Sequence, residues 1–169
     1  MMIRPTDKKG LVEAALGKRD CDLVIQNANI VNLFTGEIYI GDVGIYHGFI
    51  AHVEPNPDMC GRERIDIKGA THYNAKGKYL IPGLIDAHIH IESTMMTPRN
   101  FAKAVLPHGT TTVITDPHEI GNVLGVEGVR YMHDSGNRLP MRQYILIPSC
   151  VPAVPGVENS GARFLRAEI

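Results

Sequence analysis

Two histidines one residue apart, His88 and His90, lie in the apolar run "IPGLIDAHIHIEST" at residues 81–94, with Asp86 before them and Glu92 after them. On an extended strand side chains alternate, so Leu84, Asp86, His88, His90 and Glu92 share one face and Ile85, Ala87, Ile89 and Ile91 the other. The second face suits packing against helices. The first gathers two imidazoles and two carboxylates where a structural parallel strand carries Val, Ile or Leu, and burying such groups without partners is costly. A metal ion removes that cost. Neutral imidazole is a good ligand for zinc, manganese or iron, and same-face histidines about 6–7 Å apart can converge on one ion. Asp86 and Glu92 are then candidate oxygen ligands, or groups that hold the ligands in place. The three-residue pattern by itself is more often a chance pair of satisfied core histidines, so the choice falls to the elements around it.

Residues 8–19 read as a short helix with Leu11, Val12, Ala15 and Leu16 on one face, a docking element. From Asp22 to about Ile67, Val, Ile and Tyr runs are broken at short intervals by Asn, Gly and Asp, which predicts a small antiparallel β unit with a Pro/Gly loop at 55–63. From residue 80 strand and helix alternate. "LIDAHIHI" is a strand; Thr97 is an N-cap with Pro98 at the first helical position, and Gly109 ends that helix. "TTTVITD" is the next strand, "NVLGVEGVRYMHDSG" the next helix with Gly136 as its stop, and "MRQYILIPS" a third strand. The β-α-β-α-β order predicts a parallel sheet or barrel. The domain organisation expected is an N-terminal helix at 1–20, a partial β-sandwich at 21–80 and the first βα units of a barrel at 81–169.

Composition narrows the function by exclusion. At 169 residues and 44% hydrophobic, the chain suffices for one modest domain or one and a piece. Seventeen basic against eighteen acidic residues leave a net charge of -1, which supplies no field for nucleic acid or an anionic membrane. Cys21, Cys60 and Cys150 are odd in number and far apart, neither a disulfide framework nor a zinc-finger spacing, and a reducing cytoplasm is the expected home. No signal-peptide core and no run of about 18 apolar residues occurs, so neither export nor membrane spanning is expected.

Gly77, Lys78, Pro82, Gly83, Ile85, Asp86, His88 and His90 together match a G-K-x-x-x-P-G-x-I-D-x-H-x-H pattern, and with a β unit before it and βα units after it the chain resembles the amidohydrolase superfamily. Within that superfamily, "HIHIESTMMTPRNFAKAVLPHGTTTVITDPHEIGNVLG" is similar to adenine deaminases, including Glu92-Ser93 and the Asp116-Pro117-His118-Glu119 turn; "PSCVPA" at 148–153 is similar too. The resemblance covers roughly residues 20 to 169.

The resemblance implies an α/β fold: the N-terminal part of a metal-dependent (β/α)8, TIM-like barrel preceded by part of a small β-sandwich, with H-x-H at the C-terminal end of strand 1. It implies metal-assisted hydrolysis of adenine to hypoxanthine and ammonia, His88 and His90 holding one metal of a pair and Asp116, His118 and Glu92 as catalytic candidates. Imidazole permits manganese, iron or zinc; only the resemblance favours manganese or iron. Adenine is the expected small-molecule substrate and a homo-oligomer the expected assembly, with no nucleic acid or membrane partner. The superfamily takes further ligands from strands 4, 5, 6 and 8, yet only about 90 residues follow Leu80, against about 250 for a whole barrel. The expectation is therefore an N-terminal portion, inactive alone, whose open flank is apolar and prone to association. Alternatives are another cyclic-amide hydrolase or deaminase of the superfamily, against which "IEST...DPHE" argues, or a non-catalytic metal-binding fragment.

Other residues carry blander expectations. An Asx-type turn before Pro117 with a solvated His118 competes with a site role for Asp116 and His118, and exposed loop glutamates compete for Glu92 and Glu119. His108 suits a helix C-terminus; His47, His52, His72 and His133 suit surface or packing positions; Cys150 suits a small buried thiol near the end of the third strand. "GNVLGVEG" lacks the spacing of a phosphate-cradling loop.

Overall fold

The Val- and Ile-rich run after Asp20 is extended, as its β-branched content favours, and forms the long central strand β1 (Cys21–Asn32). The computed structural model describes residues 5–56, 61, 63–152, 154 and 157, and the chain divides into two units between Pro82 and Gly83. In the first unit β1 pairs antiparallel with β2 (Glu37–Tyr46), and β2 antiparallel with β3 (Phe49–Pro55). On the other side of β1 the expected antiparallel pattern gives way: β4 (Gly69–Asn74) and β5 (Tyr79–Leu80) both run parallel to it. A parallel partner needs a long crossover, and the chain between Pro55 and Gly69 supplies it; most of the Pro/Gly loop expected at 55–63 lies outside the described residues, as does Cys60. Asn27, at φ 55°, breaks the β1 register between Ile25 and Ala28, so β4 pairs before the break and β5 after it. Its N–H turns instead to Asp42 Oδ1 at 2.9 Å, and Arg64 pairs with the same carboxylate.

The N-terminal helix α1 (Lys8–Ala15) is shorter than the pattern predicts and buries a different face. Gly10 and Ala14 are its buried residues, and Ala14 packs with Cys21, Val24, Tyr46 and Ile67, whereas Val12 and Leu16 are exposed. Small residues four apart let the helix lie close to the sheet: a Cβ on Gly10 would sit 2.5 Å from Tyr46 Oη.

In the second unit β6 (Leu84–Ile89), β7 (Thr110–Thr115) and β8 (Arg142–Ile145) form a parallel sheet with β7 in the middle. Helix α2 (Pro98–Val105) starts where the sequence predicts, Thr97 accepting the Asn100 N–H and Pro98 at its first position; a 3-10 turn, Leu106–His108, leads to Gly109 at φ 96°. The single helix expected before Gly136 is instead two, α3 (His118–Leu124) and α4 (Val126–Gly136), divided at Gly125 with φ 62° and ψ -145°. Only glycine adopts that conformation readily. The core joins Ile91, Phe101, Ala102, Val113, Met132 and Met141, with Ile89, Ile120 and Ile145 packed against it. The apolar face of β6 is thus covered only at its C-terminal end, for Ile85 is 65% exposed. Tyr144, Leu146 and Ile147, in and just after β8, are exposed as well. Among the described residues no helix is long and apolar enough to cross a membrane.

Candidate metal centre

Parallel pairing sets the C-terminal ends of β6, β7 and β8 side by side, the end of such a sheet where ligands bind. The ladder continues past the strands: Asp116 N–H donates to Ile89 O at 3.0 Å and Leu146 N–H to Thr115 O at 2.8 Å. His88 near the end of β6, His90 just beyond it and Asp116 just beyond β7 are thereby gathered. One ligand atom from each lies within 4.8 Å of the others.

The ring geometry is that of convergent ligands. His88 Nε2 and His90 Nε2 face each other at 3.3 Å, with ring centroids 4.9 Å apart and planes at 82°. His90 Nδ1 lies 2.8 Å from the backbone oxygen of Asp116. A carbonyl oxygen only accepts, so Nδ1 carries a proton, which leaves Nε2 as the nitrogen that can offer a lone pair to an ion. That is the tautomer a metal-ligating histidine takes when its other nitrogen is anchored to backbone. Two imidazole nitrogens and a carboxylate suit a divalent cation of the zinc, manganese or iron kind. The residues present therefore fit such an ion.

Two carboxylates expected on the histidine face are used otherwise. Asp86 Oδ1 accepts the His88 N–H at 3.1 Å, steadying the strand end. Glu92 does not continue the strand, because β6 ends at Ile89 and a 3-10 turn, Glu92–Thr94, begins. That turn aims Glu92 at α3, where Oε1 accepts the Ile120 N–H at 3.4 Å while the buried Oε2 has no hydrogen-bond partner. Glu119 also turns back to this corner, accepting from Ser93 Oγ.

His118 joins the cluster from the start of α3. Its ring meets the His90 ring edge to face, centroids 4.5 Å apart at 89°, and its Nδ1 is 3.9 Å from Asp116 Oδ2. His118 Nδ1 and Asp116 Oδ1 are both buried without a hydrogen-bond partner. Cys150, expected as a buried thiol, is exposed, and its Sγ lies within 4.8 Å of ligand atoms of Asp116 and His118. The signal for it in the sequence is position: it follows the third parallel strand by a few residues, on the side where the strands deliver their loops.

The remaining histidines stay out of this cluster. In the first unit His47 stacks on Tyr46 with centroids 4.3 Å apart, His52 Nε2 is 2.6 Å from Glu54 Oε2, and His72 is exposed on β4. In the second, His108 closes the 3-10 turn after α2, and exposed His133 sits 3.0 Å from Asp134.

Adenine deaminase 3 of Rhizobium meliloti (strain 1021) is 45% identical over 160 residues, which are 94% of this chain and 26% of that protein. Adenine deaminase of Thermosipho africanus (strain TCF52B) is 50% identical over 152 residues, 90% of this chain and 25% of that protein. The chain thus spans about a quarter of the length of these curated relatives. A solved N-acyl-D-glutamate deacylase from Bordetella bronchiseptica is 22% identical with a TM-score of 0.45, over 57% of this chain and 19% of that one, too distant a likeness to carry an argument. The family model described as "Amidohydrolase family" matches residues 79–169, more than half the chain and the whole of the His88, His90, Asp116 and His118 cluster. The chain belongs to the amidohydrolase family.

Proposed function

We propose that this chain contributes the first metal ligands and part of the purine pocket of an adenine deaminase, its second unit forming βα units of a (β/α)8 barrel and its first unit part of a β-sandwich. The observation that carries the reading is the Asp116 carbonyl fixing His90 so that its Nε2 faces His88 Nε2, with the Asp116 carboxylate alongside. The similarity to adenine deaminases over nine-tenths of the chain supports the substrate.

A divalent cation bound there supplies Lewis acidity and an activated water for hydrolysis of the exocyclic C6–N bond of adenine to hypoxanthine and ammonia. The chain's own residues do the rest. His88 and His90 hold the ion through Nε2, and the Asp116 carboxylate is a third donor. His118 Nδ1, beside Asp116 Oδ2, is placed to take up a proton and return it. Glu92 acts by position, its Oε1 on the Ile120 N–H holding the start of α3, and hence His118, against the site. Manganese or iron, as a pair of ions, belongs to the same reading, with zinc permitted by the donors; so do a homo-oligomeric assembly and a cytoplasmic home.

The test is hypoxanthine formation from adenine with manganese added. The 169 residues alone are expected to leave adenine unchanged, because they hold no counterpart of the ligands that the superfamily takes from strands 5, 6 and 8. Joined to the remainder of a relative-length barrel they are expected to turn adenine over, and His88→Ala to abolish that. Turnover by the 169-residue chain within about tenfold of the longer protein, a barrier difference of only about 1.4 kcal/mol, would overturn the assignment.

A further inference from the structure

We propose that the cleft between α2 and α4 binds a phosphate monoester, at an anion site separate from the metal centre and independent of the adenine reading. The cleft measures about 520 Å3, and its walls are Arg99, Ala102 and Lys103 on α2, the last residues of α4 and the loop 137–140. That loop leads into β8, so it lies at the N-terminal end of the parallel sheet, whereas His88, His90 and Asp116 gather at the C-terminal end. The two helices cross between strands that are already paired, α2 from β6 to β7 and α4 from β7 to β8. Further βα units would extend the sheet at β6 or β8 and leave these walls as they are.

Charge names the class of ligand. Arg99 and Lys103 are four residues apart on α2 and so share a side of that helix, and Arg138 lines the same cleft from the loop. All three are exposed, and among the described residues none has an ion-pair partner, unlike Arg19, Arg64 and Arg130, which each meet a carboxylate. The acidic residue of the lining, Asp134, has His133 Nδ1 at 3.0 Å. Three cations against one carboxylate leave a concave surface of net positive charge, and such a surface concentrates anions. A phosphate monoester carries about −1.5 to −2 near neutral pH; guanidinium grips its oxygens in pairs, and the Lys103 ammonium adds a point charge.

Room decides between bare phosphate and an ester. Pockets for small organic ligands measure roughly 300–1,000 Å3, a range in which this cleft falls and which an inorganic phosphate does not need. Buried Ala102 and Leu139, which packs on the core, give the ester's organic part an apolar wall.

Calorimetric titration of the full chain, stripped of metal over a chelating resin and held at low ionic strength, tests the site. The probes are uridine 5′-monophosphate, chosen because it is not a purine, then inorganic phosphate and uridine. The nucleotide is expected to bind saturably with a dissociation constant below about 1 mM, more tightly than phosphate, and to weaken as salt is added; uridine is expected not to bind. Arg99→Gln, Lys103→Gln and Arg138→Asn should each weaken binding by about two- to fivefold, the scale of exposed charge pairs. Asparagine is chosen at Arg138 because the backbone there is left-handed, at φ 64°. Asp134→Asn should tighten binding by a similar factor, a gain that a damaged fold cannot produce. Amide shifts in an NMR spectrum should move at 99–103 and 134–140 and stay still at 88–90. No saturable binding, binding that survives loss of all three cations, or a weaker Asp134→Asn variant overturns the site, and phosphate that binds as tightly as the nucleotide overturns its assignment to an ester.

Discussion

The backbone oxygen of Asp116 accepts the Nδ1 proton of His90 at 2.8 Å, tying the end of β7 to a histidine at the end of β6. This bond exists because the parallel ladder runs one residue past the strands, Asp116 N–H donating to Ile89 O. Backbone pairing therefore sets the tautomer of His90 and the direction of its free nitrogen.

Removing that nitrogen and its neighbour is expected to cost metal rather than fold. His88 is exposed and His90 only partly buried, and neither belongs to the core cluster. The His88→Ala/His90→Ala variant should unfold close to wild type without metal. At manganese about 100-fold above the dissociation constant, wild type should gain about 2.7 kcal/mol and the variant much less. Thermal unfolding with and without the ion, alongside elemental analysis, measures both.

Gly128 is where α4 crosses close to α3. A Cβ there would lie 2.6 Å from the Ile120 carbonyl oxygen and 3.0 Å from its carbon, and backbone cannot swing aside as a side chain would. Gly128→Ala should destabilise the chain by about 1–3 kcal/mol, as overpacking does, and displace α3 with His118. Urea denaturation gives the first effect and the ring proton shifts of His118 in an NMR spectrum the second.

Asp7 gives the first unit an acid sensitivity of known sign. The backbone N–H of Gly10, and then the Tyr46 hydroxyl, hydrogen-bond its carboxylate and hold its pKa below the ordinary aspartate value. The folded pKa is depressed, so this stabilisation is full above the unfolded pKa near about 3.9 and fades as pH falls through the lower folded one. Wild type should therefore exceed Asp7→Ala in stability at neutral pH, and the gap should narrow on acidification below about pH 4. A gap that widens on acidification would contradict the capping role.

The two described cysteines should react very differently. Cys21 is buried against α1, and burial, then Asp22 and Asp20, pushes its thiol pKa up; Cys150 is exposed. Thiolate is the reactive form, so iodoacetamide at mildly alkaline pH should label Cys150 quickly and Cys21 only after denaturation. Mass spectrometry of timed digests checks the order.

Local pattern by itself determined much of this chain. H-x-H on a strand, Thr97-Pro98 at a helix start and Gly109 at its end are statements about neighbouring residues, and the strand rhythm after residue 80 follows from side-chain alternation and turn chemistry. Elements that depend on distant partners were not legible. The parallel pairing of β4 and β5 with β1 depends on a backbone break at Asn27 that no periodicity marks. The face buried by α1 depends on how closely small Gly10 lets it approach Tyr46. The helix start at His118 brings that ring to His90, and the turn at Glu92 sends a carboxylate to α3 instead of the histidines. Which atoms meet at the strand ends was decided by tertiary structure alone, because Asp116, His118 and Cys150 are far from His88 in sequence and only parallel register carries them to one place.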